Sequence, residues 1–318
     1  MSLDLLLGNE QLKAKLAPAL QADRLSHAYI LSGPVGSGRR TLATILAAAM
    51  ECTAGSSRPC GVCAQCRKVF SGTHPDVITV DDDKHKGVSV EVVRQARSDV
   101  FIRPNEGRRK VYFFPRAADM NAAGQNALLK VIEEPPSYAA FLLLTDGAQK
   151  LLPTIRSRSV ELQLAPLPKA VCLARLRQDF RNETDAALEA AFLRSGGYYG
   201  QAKALLSDGC RWLPQTVRFA EVYAERNALG LCELLVPMER LGREQLQGIL
   251  TEWLTLLSDA LSVRAGAPPA SEEASRIGQS RTGAELLDSV RHLQKALALL
   301  QANVATGTLC GALQVYLR

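Results

Sequence analysis

The sequence predicts an α/β domain built on a parallel sheet over residues 1–165, followed by helices alone. Three observations carry this. Short apolar runs alternate with helical patterns through the first half of the chain. A glycine-rich loop, Gly33-Pro34-Val35-Gly36-Ser37-Gly38-Arg39-Arg40, lies between one such run and the helix after it. Strand signals then end at Ala165-Pro166-Leu167-Pro168, a stiff connector that suits a domain boundary.

In chain order, Asn9 is expected to cap a short helix whose Leu12, Leu16 and Leu20 recur every four residues. Four buried strands are expected at Ala28–Leu31, Val77–Val80, Val111–Phe114 and Phe141–Thr145. A fifth, Val160–Leu164, alternates Val160, Leu162 and Leu164. Helices are expected after Gly38, over Val90–Val100, and from Asn121 to Glu134, where Pro135 and Pro136 stop the last one. Beyond the connector, Leu173, Leu176 and Phe180 share a helical face, and Asn182 is expected to cap the next helix. Gly196-Gly197-Tyr198-Tyr199-Gly200 breaks the pattern. From about residue 210 the chain reads as long amphipathic helices with breaks near Gly242 and across Ala265–Ser271.

Composition sets limits on function. The 318 residues are enough for two or three domains. With 47% apolar and 22% charged residues the chain is of ordinary globular make-up, which excludes a disordered tail or fibrous repeat. Aromatics are only 5%, so Leu, Val, Ile and Ala must build the core. The longest nearly apolar run, Leu42 to Met50, is far short of the roughly 18 residues that read as a membrane span. Met1 to Leu7 carries no basic n-region, and a soluble cytoplasmic protein is expected. A net charge of +6 permits contact with nucleic acid without identifying a binder.

Of eight cysteines, Cys172, Cys210, Cys232 and Cys310 are scattered and read as small buried hydrophobes. Cys52, Cys60, Cys63 and Cys66 crowd together, with Gly55, Pro59 and Gly61 to allow tight turns. Four thiolates close a tetrahedral structural zinc site, and a closed site leaves no position for catalysis. Adventitious thiols or disulfides are the other reading. His74 reads as part of the His74-Pro75-Asp76 turn, not as a further ligand.

The glycine loop has P-loop spacing, with Gly33, Gly36, Gly38 and Arg39 as the candidate phosphate-binding residues; a chance glycine-rich turn is the alternative. Its chemistry is degenerate. A working loop needs Lys where Arg39 stands and a Ser or Thr hydroxyl for Mg²⁺ where Arg40 stands; Thr41 is one residue late. Arg39 keeps the charge but is bulkier and planar. The expected carboxylate pair at the tip of the third strand is replaced by Pro115-Arg116, and Asp119 comes too late to serve. Hydrolysis of ATP by this chain is therefore not expected.

Before the fifth strand, Thr154-Ile155-Arg156-Ser157-Arg158-Ser159 offers two arginines in a short loop. A guanidinium supplied to a neighbour's nucleotide stabilises charge on the transferred phosphoryl, whereas a solvated surface pair does nothing of the kind. The residues alone leave both readings open. The run Arg103, Arg108, Arg109 and Lys110 lacks interleaved aromatics and reads as mostly a solvated face.

Taken together, these strings resemble the AAA+ clamp-loader family of bacterial replication. The likeness covers the first 165 residues. It includes His27-Ala28-Tyr29-Ile30-Leu31-Ser32-Gly33-Pro34, the four-cysteine module and His74-Pro75-Asp76. It also includes Gln125-Asn126-Ala127-Leu128-Leu129-Lys130, Glu133-Glu134-Pro135-Pro136 and the Ser157-Arg158-Ser159 loop, where the family has Ser-Arg-Cys. Within the family, gamma/tau-type subunits hydrolyse ATP and delta-prime-type subunits keep the fold with a degenerate site. Arg39, Arg40, Pro115 and Arg116 are similar to the second type, as is Gln201 where the family has a sensor arginine.

The resemblance implies an AAA+ P-loop domain at 1–165 with an inserted zinc module (52–66). It also implies a small helical lid domain at 166–208 and a C-terminal helical collar domain at 209–318. It implies a stator in a ring with gamma/tau and delta subunits of the DNA polymerase III holoenzyme. There Arg158 would enter a neighbour's ATP site, with Arg156 supporting the loop, and the complex would load the sliding clamp on primed DNA. A divergent gamma/tau-like ATPase and a zinc-bearing DNA-binding module outside any loader are the competing readings.

Overall fold

The computed structural model describes residues 3–55, 58–82, 87–207, 209, 212–302 and 304–318. The chain divides into two compact units, Met1–Cys172 with Tyr198–Gln201, and Leu173–Gly197 with Ala202–Arg318.

The first unit begins with α1 (Glu10–Gln21), β1 (Ala28–Ser32), α2 (Arg39–Glu51) and α3 (Ala64–Phe70). It continues through β2 (Val77–Thr79), α4 (Val90–Asp99), β3 (Lys110–Phe114), α5 (Ala122–Glu133) and β4 (Ala139–Thr145). It ends with the single turn α6 (Pro153–Arg156), β5 (Val160–Gln163) and the start of α7 (Lys169–Asp179). The strands form one parallel sheet in the order β2-β3-β4-β1-β5. Every residue of β1 and β4 is buried, because central parallel strands are covered on both faces. This is why both read as unbroken apolar runs. At the edge, β5 buries only Leu162, in keeping with its alternating sequence.

Side chains alternate between two cores. Tyr29 and Leu31 pack with Leu12, Leu16, Leu42 and Leu46 of α1 and α2, whereas Ala28 and Ile30 pack with Val93, Leu128 and Ile132 of α4 and α5. The five expected strands are all present, displaced by at most two residues at an end, but β2, expected to be buried, lies at the sheet edge with Val77 and Ile78 half-buried and Thr79 exposed.

Three local expectations are corrected. Asn9 precedes α1 but makes no side-chain cap; its φ of 57° is left-handed, and its Oδ1 instead accepts from the Ala165 amide at 2.8 Å. The helix after Asn182 is capped by Thr184, whose hydroxyl accepts from the Ala187 amide at 3.2 Å. Lys110, read as part of a solvated basic face, is buried: its ammonium donates to the Asp99 and Ile102 carbonyls and pairs with the Asp99 carboxylate at 2.9 Å.

The remaining elements are α8 (Asp185–Arg194), α9 (Tyr199–Ser207), α10 (Pro214–Ala224), α11 (Ala228–Met238), α12 (Arg243–Arg264), α13 (Glu272–Ser280), α14 (Gly283–Gln301) and α15 (Thr306–Tyr316). The second unit is thus helical among the described residues. Its core centres on Trp253, stacked on Phe219 with ring centroids 4.0 Å apart. The expected breaks fall at Gly242, before α12, and at Ser271, whose hydroxyl caps α13. Cys172 and Cys310 are buried and Cys232 is half-buried, while Cys210 lies outside the described residues. No described helix is long and apolar enough to cross a membrane.

Candidate functional site

Four groups of residues singled out by the sequence lie in the first unit. The glycine loop joins β1 to α2, as its spacing predicts. Gly36 has φ +80°, and a Cβ there would stand 2.5 Å from the Gln201 amide nitrogen. The Gly200 N–H donates to the Gly36 carbonyl at 2.9 Å, so the rim of the loop is packed backbone against backbone with residues 200–201. Gly200 shares the constraint, since its own Cβ would lie 2.6 Å from the Gly36 Cα. This contact spans 164 residues of sequence and had no signal in the motif. Arg39 at the start of α2 is half-buried; burial draws its pKa down and the Asp146 carboxylate, just past β4, works against that. Arg40 and Thr41 are both exposed. Asp146 was not singled out from the sequence, and it also pairs with Lys150 at 2.6 Å.

At the tip of β3, Pro115 is buried and Arg116 turns its guanidinium to the end of β2. Arg116 Nε donates to Asp81 Oδ1 at 2.7 Å and Nη2 to the Asp82 carbonyl at 2.6 Å. The cation at this strand tip is therefore held and neutralised by Asp81. Asp119 is exposed in the short 3₁₀ turn Ala117–Asp119, away from the strand end.

The four-cysteine module follows α2. The sulfurs of Cys52, Cys60, Cys63 and Cys66 lie within 4.8 Å of one another, and Cys60 Sγ is 3.9 Å from Cys66 Sγ. A tetrahedral ion bound at about 2.3 Å to each sulfur needs roughly 3.8 Å between them, so the set could hold a metal ion. Backbone amides point at the sulfurs: Cys60 N to Cys52 (3.4 Å), Cys63 N to Cys60 (3.3 Å) and Cys66 N to Cys63 (3.4 Å). Such donors favour thiolates. For Cys60 they outweigh burial and lower the pKa; at Cys63 burial works upward, yet the Cys66 and Thr53 amides bring it to about 6. Burial dominates at Cys52 and Cys66 and pushes both up.

The module is fastened from beneath by two fully buried carboxylates, Asp76 of the His74-Pro75-Asp76 string and Glu51, which the sequence did not flag. Glu51 accepts from the Arg108 amide at 2.8 Å, and Asp76 accepts from the amides of Asn105 (2.7 Å), Glu106 (2.9 Å) and Gly107 (2.7 Å). Burial lifts Glu51 to about 7, against the pull of the Arg109 and Arg108 amides. At Asp76 burial also pushes upward, but the three amides prevail and the pKa is lowered. The loop so held grips α3, through Lys68 to Glu106 (2.5 Å) and Gln65 Nε2 to the Glu106 carbonyl (3.1 Å). His74 belongs to this support. Its Nδ1 accepts from the Asp76 amide at 3.1 Å, so its proton sits on Nε2, 2.9 Å from Gln65 Oε1. Arg108 and Arg58 both pair with Asp23.

The arginine loop rests on α5. Gln125, buried on that helix, donates to the Met120 (3.0 Å) and Lys150 (3.3 Å) carbonyls and accepts from the Leu152 amide at 2.7 Å. Ile155 is buried and anchors α6. Arg156 and Arg158 are both exposed, and Arg158 Nη1 donates to the Thr154 carbonyl and to Ser157 Oγ, each at 3.2 Å.

The family described as "DNA polymerase III, delta subunit" matches residues 8–168, just over half of the chain. A DNA polymerase III subunit gamma/tau of Mycobacterium tuberculosis is 36% identical over 197 residues, 60% of this chain and 34% of that protein. The subunit delta' of Bacillus subtilis is 34% identical over 197 residues, covering 58% of this chain and 59% of that one. The delta' of Pseudomonas aeruginosa is 38% identical over 189 residues, covering 58% and 57%. The chain thus spans a third of the gamma/tau relative and less than three fifths of either delta' relative. The matched half contains the parallel sheet, the glycine loop, the cysteine module and the arginine loop, and the chain belongs to the DNA polymerase III delta-subunit family, as a clamp-loader protein of delta-prime type.

Proposed function

We propose that this chain is the non-hydrolysing subunit of a replicative clamp loader, lending Arg158 to the ATP site of a neighbouring gamma/tau-type subunit. In this reading the chain works in a cytoplasmic ring with gamma/tau and delta subunits, and the ring loads the sliding clamp on primed DNA. Residues 1–165 serve as the AAA+ body, 166–208 as lid and 209–318 as collar. The observation that carries the reading is Arg116 ion-paired to Asp81 at the β3 tip, where an ATPase would hold Mg²⁺. The packing of Gly200 on Gly36 supports it further, because a phosphate cradle must stay open to its ligand. Gly33, Gly36, Gly38 and Arg39 are then the remnant of a nucleotide site.

Zinc is the metal we assign to Cys52, Cys60, Cys63 and Cys66, since four thiolates at tetrahedral spacing suit it. It would supply stability and no chemistry. Arg158 acts by charge: its guanidinium meets the negative charge spread over the transferring phosphoryl oxygens of the neighbour's ATP.

Two assays test the reading. The purified chain alone should show no metal-dependent ATPase; brisk turnover would instead make it a divergent gamma/tau-like enzyme. In the reconstituted loader, Arg158→Ala should lower DNA-stimulated ATPase by about 10³-fold or more, and an unchanged rate would sink the finger assignment.

A further inference from the structure

Arg158 is held by an acid from another element. Glu133, the last residue of α5, brings Oε1 to 3.1 Å from Arg158 Nε. Together with the Thr154 carbonyl and Ser157 Oγ on Nη1, this engages two of the three guanidinium nitrogens. Among the described residues, Nη2 has no acceptor, so its hydrogens are the ones turned outward.

Two features make this pair unlike an ordinary surface contact. An acid in the last turn of a helix opposes the helix dipole, so Glu133 gains nothing from α5 itself. The helix end is also fixed: the Glu134 amide returns to the Lys130 carbonyl at 3.1 Å, and Pro135-Pro136 prevent any continuation. The carboxylate therefore stands on a rigid element, 25 residues away in sequence from the arginine it meets. Both side chains are 41% exposed, where an ion pair adds little to stability. Stability is a poor explanation for keeping it.

Resting on the assignment of Arg158 as the finger, we propose that Glu133 is its positioning residue. Its charge holds the guanidinium beside Nε and leaves Nη2 to meet the phosphate of the neighbouring nucleotide. A long arginine left free would have to be ordered on every encounter, and a side chain set in advance avoids that loss.

The test uses the reconstituted loader with Glu133→Gln, Arg158→Ala and the double variant. Glu133→Gln keeps the shape and removes the charge. It should lower kcat of the DNA-stimulated ATPase about 3- to 10-fold with KM for ATP little changed, and Glu133→Asp should recover part of the loss. In the Arg158→Ala background it should add nothing. In the isolated chain, the Arg158 guanidinium should be more ordered than in Glu133→Gln, as read by nitrogen-15 relaxation at Nε. A wild-type rate for Glu133→Gln beside a slow Arg158→Ala overturns the positioning role and leaves the finger intact. An equal loss in both backgrounds, or equal order at Nε, also overturns it. If Arg158→Ala itself leaves the rate unchanged, the finger assignment fails and this inference falls with it.

Discussion

The carboxylate of Asp76 is the most exacting place to perturb this protein without touching a thiol or the arginine loop. Asp76 is fully buried and accepts three backbone amides, Asn105 on Oδ1 and Glu106 and Gly107 on Oδ2. In Asp76→Asn one of the two oxygens becomes an NH₂. With the remaining oxygen in the Oδ2 position, two bonds survive as neutral ones of roughly half the strength, and the Asn105 amide faces a donor. A buried donor left unsatisfied costs about 1–3 kcal/mol, and weakening the other two brings the total to about 3–5 kcal/mol. That is a large part of the ~5–15 kcal/mol that holds a typical domain. Urea unfolding followed by tryptophan-independent far-UV signal should show the first transition moving to lower denaturant by that amount.

The pH dependence gives an independent check. The folded pKa of Asp76 lies below the 3.8 of a free carboxyl, so its stabilisation is fully present above that value. It is lost as pH falls through the lowered folded pKa. The wild type and Asp76→Asn should therefore differ near neutrality and converge in acid. A difference under about 1 kcal/mol at pH 7 would refute the assignment of Asp76 as the anchor of the 105–107 loop.

Two other outcomes are expected. Chelation at neutral pH should remove a stoichiometric metal and lower the melting temperature, because metal binding to a thiolate set is coupled to folding; a melt indifferent to chelator would count against a structural ion. Gly200→Ala should destabilise the first unit by about 2 kcal/mol, since its Cβ would fall 2.6 Å from the Gly36 Cα and backbone must move; a neutral effect by calorimetry would mean that this packing is dispensable.

What could be read from the sequence follows the range of the forces involved. The central strands were legible because parallel strands buried on both faces carry unbroken apolar runs, as Ala139–Thr145 does. The helix ends at Ser271 and Asn121 were legible because a cap is a local bond, to the amides of Ala274 and Gly124. Asn9 looked the same on paper, but its side chain found Ala165, far off in sequence. Lys110 failed for a similar reason, since charge in a basic run gives no sign that carbonyls of residues 99 and 102 will enclose it. Pro115-Arg116 at the strand tip stood out in the sequence, whereas Asp81 as the counter-ion of Arg116 required the strand order. Gln125 stood out within its string, but only the fold reveals that it binds the backbone beneath the arginine loop.

Helix α5 touches that loop at two levels, Gln125 at the foot and Glu133 at the summit. Eight residues of helix separate them by about 12 Å, a span set by covalent geometry and insensitive to solvent. The helix thus works as a calliper. If it tilts as a rigid rod, foot and summit travel together, so the guanidinium would change its bearing without changing its posture.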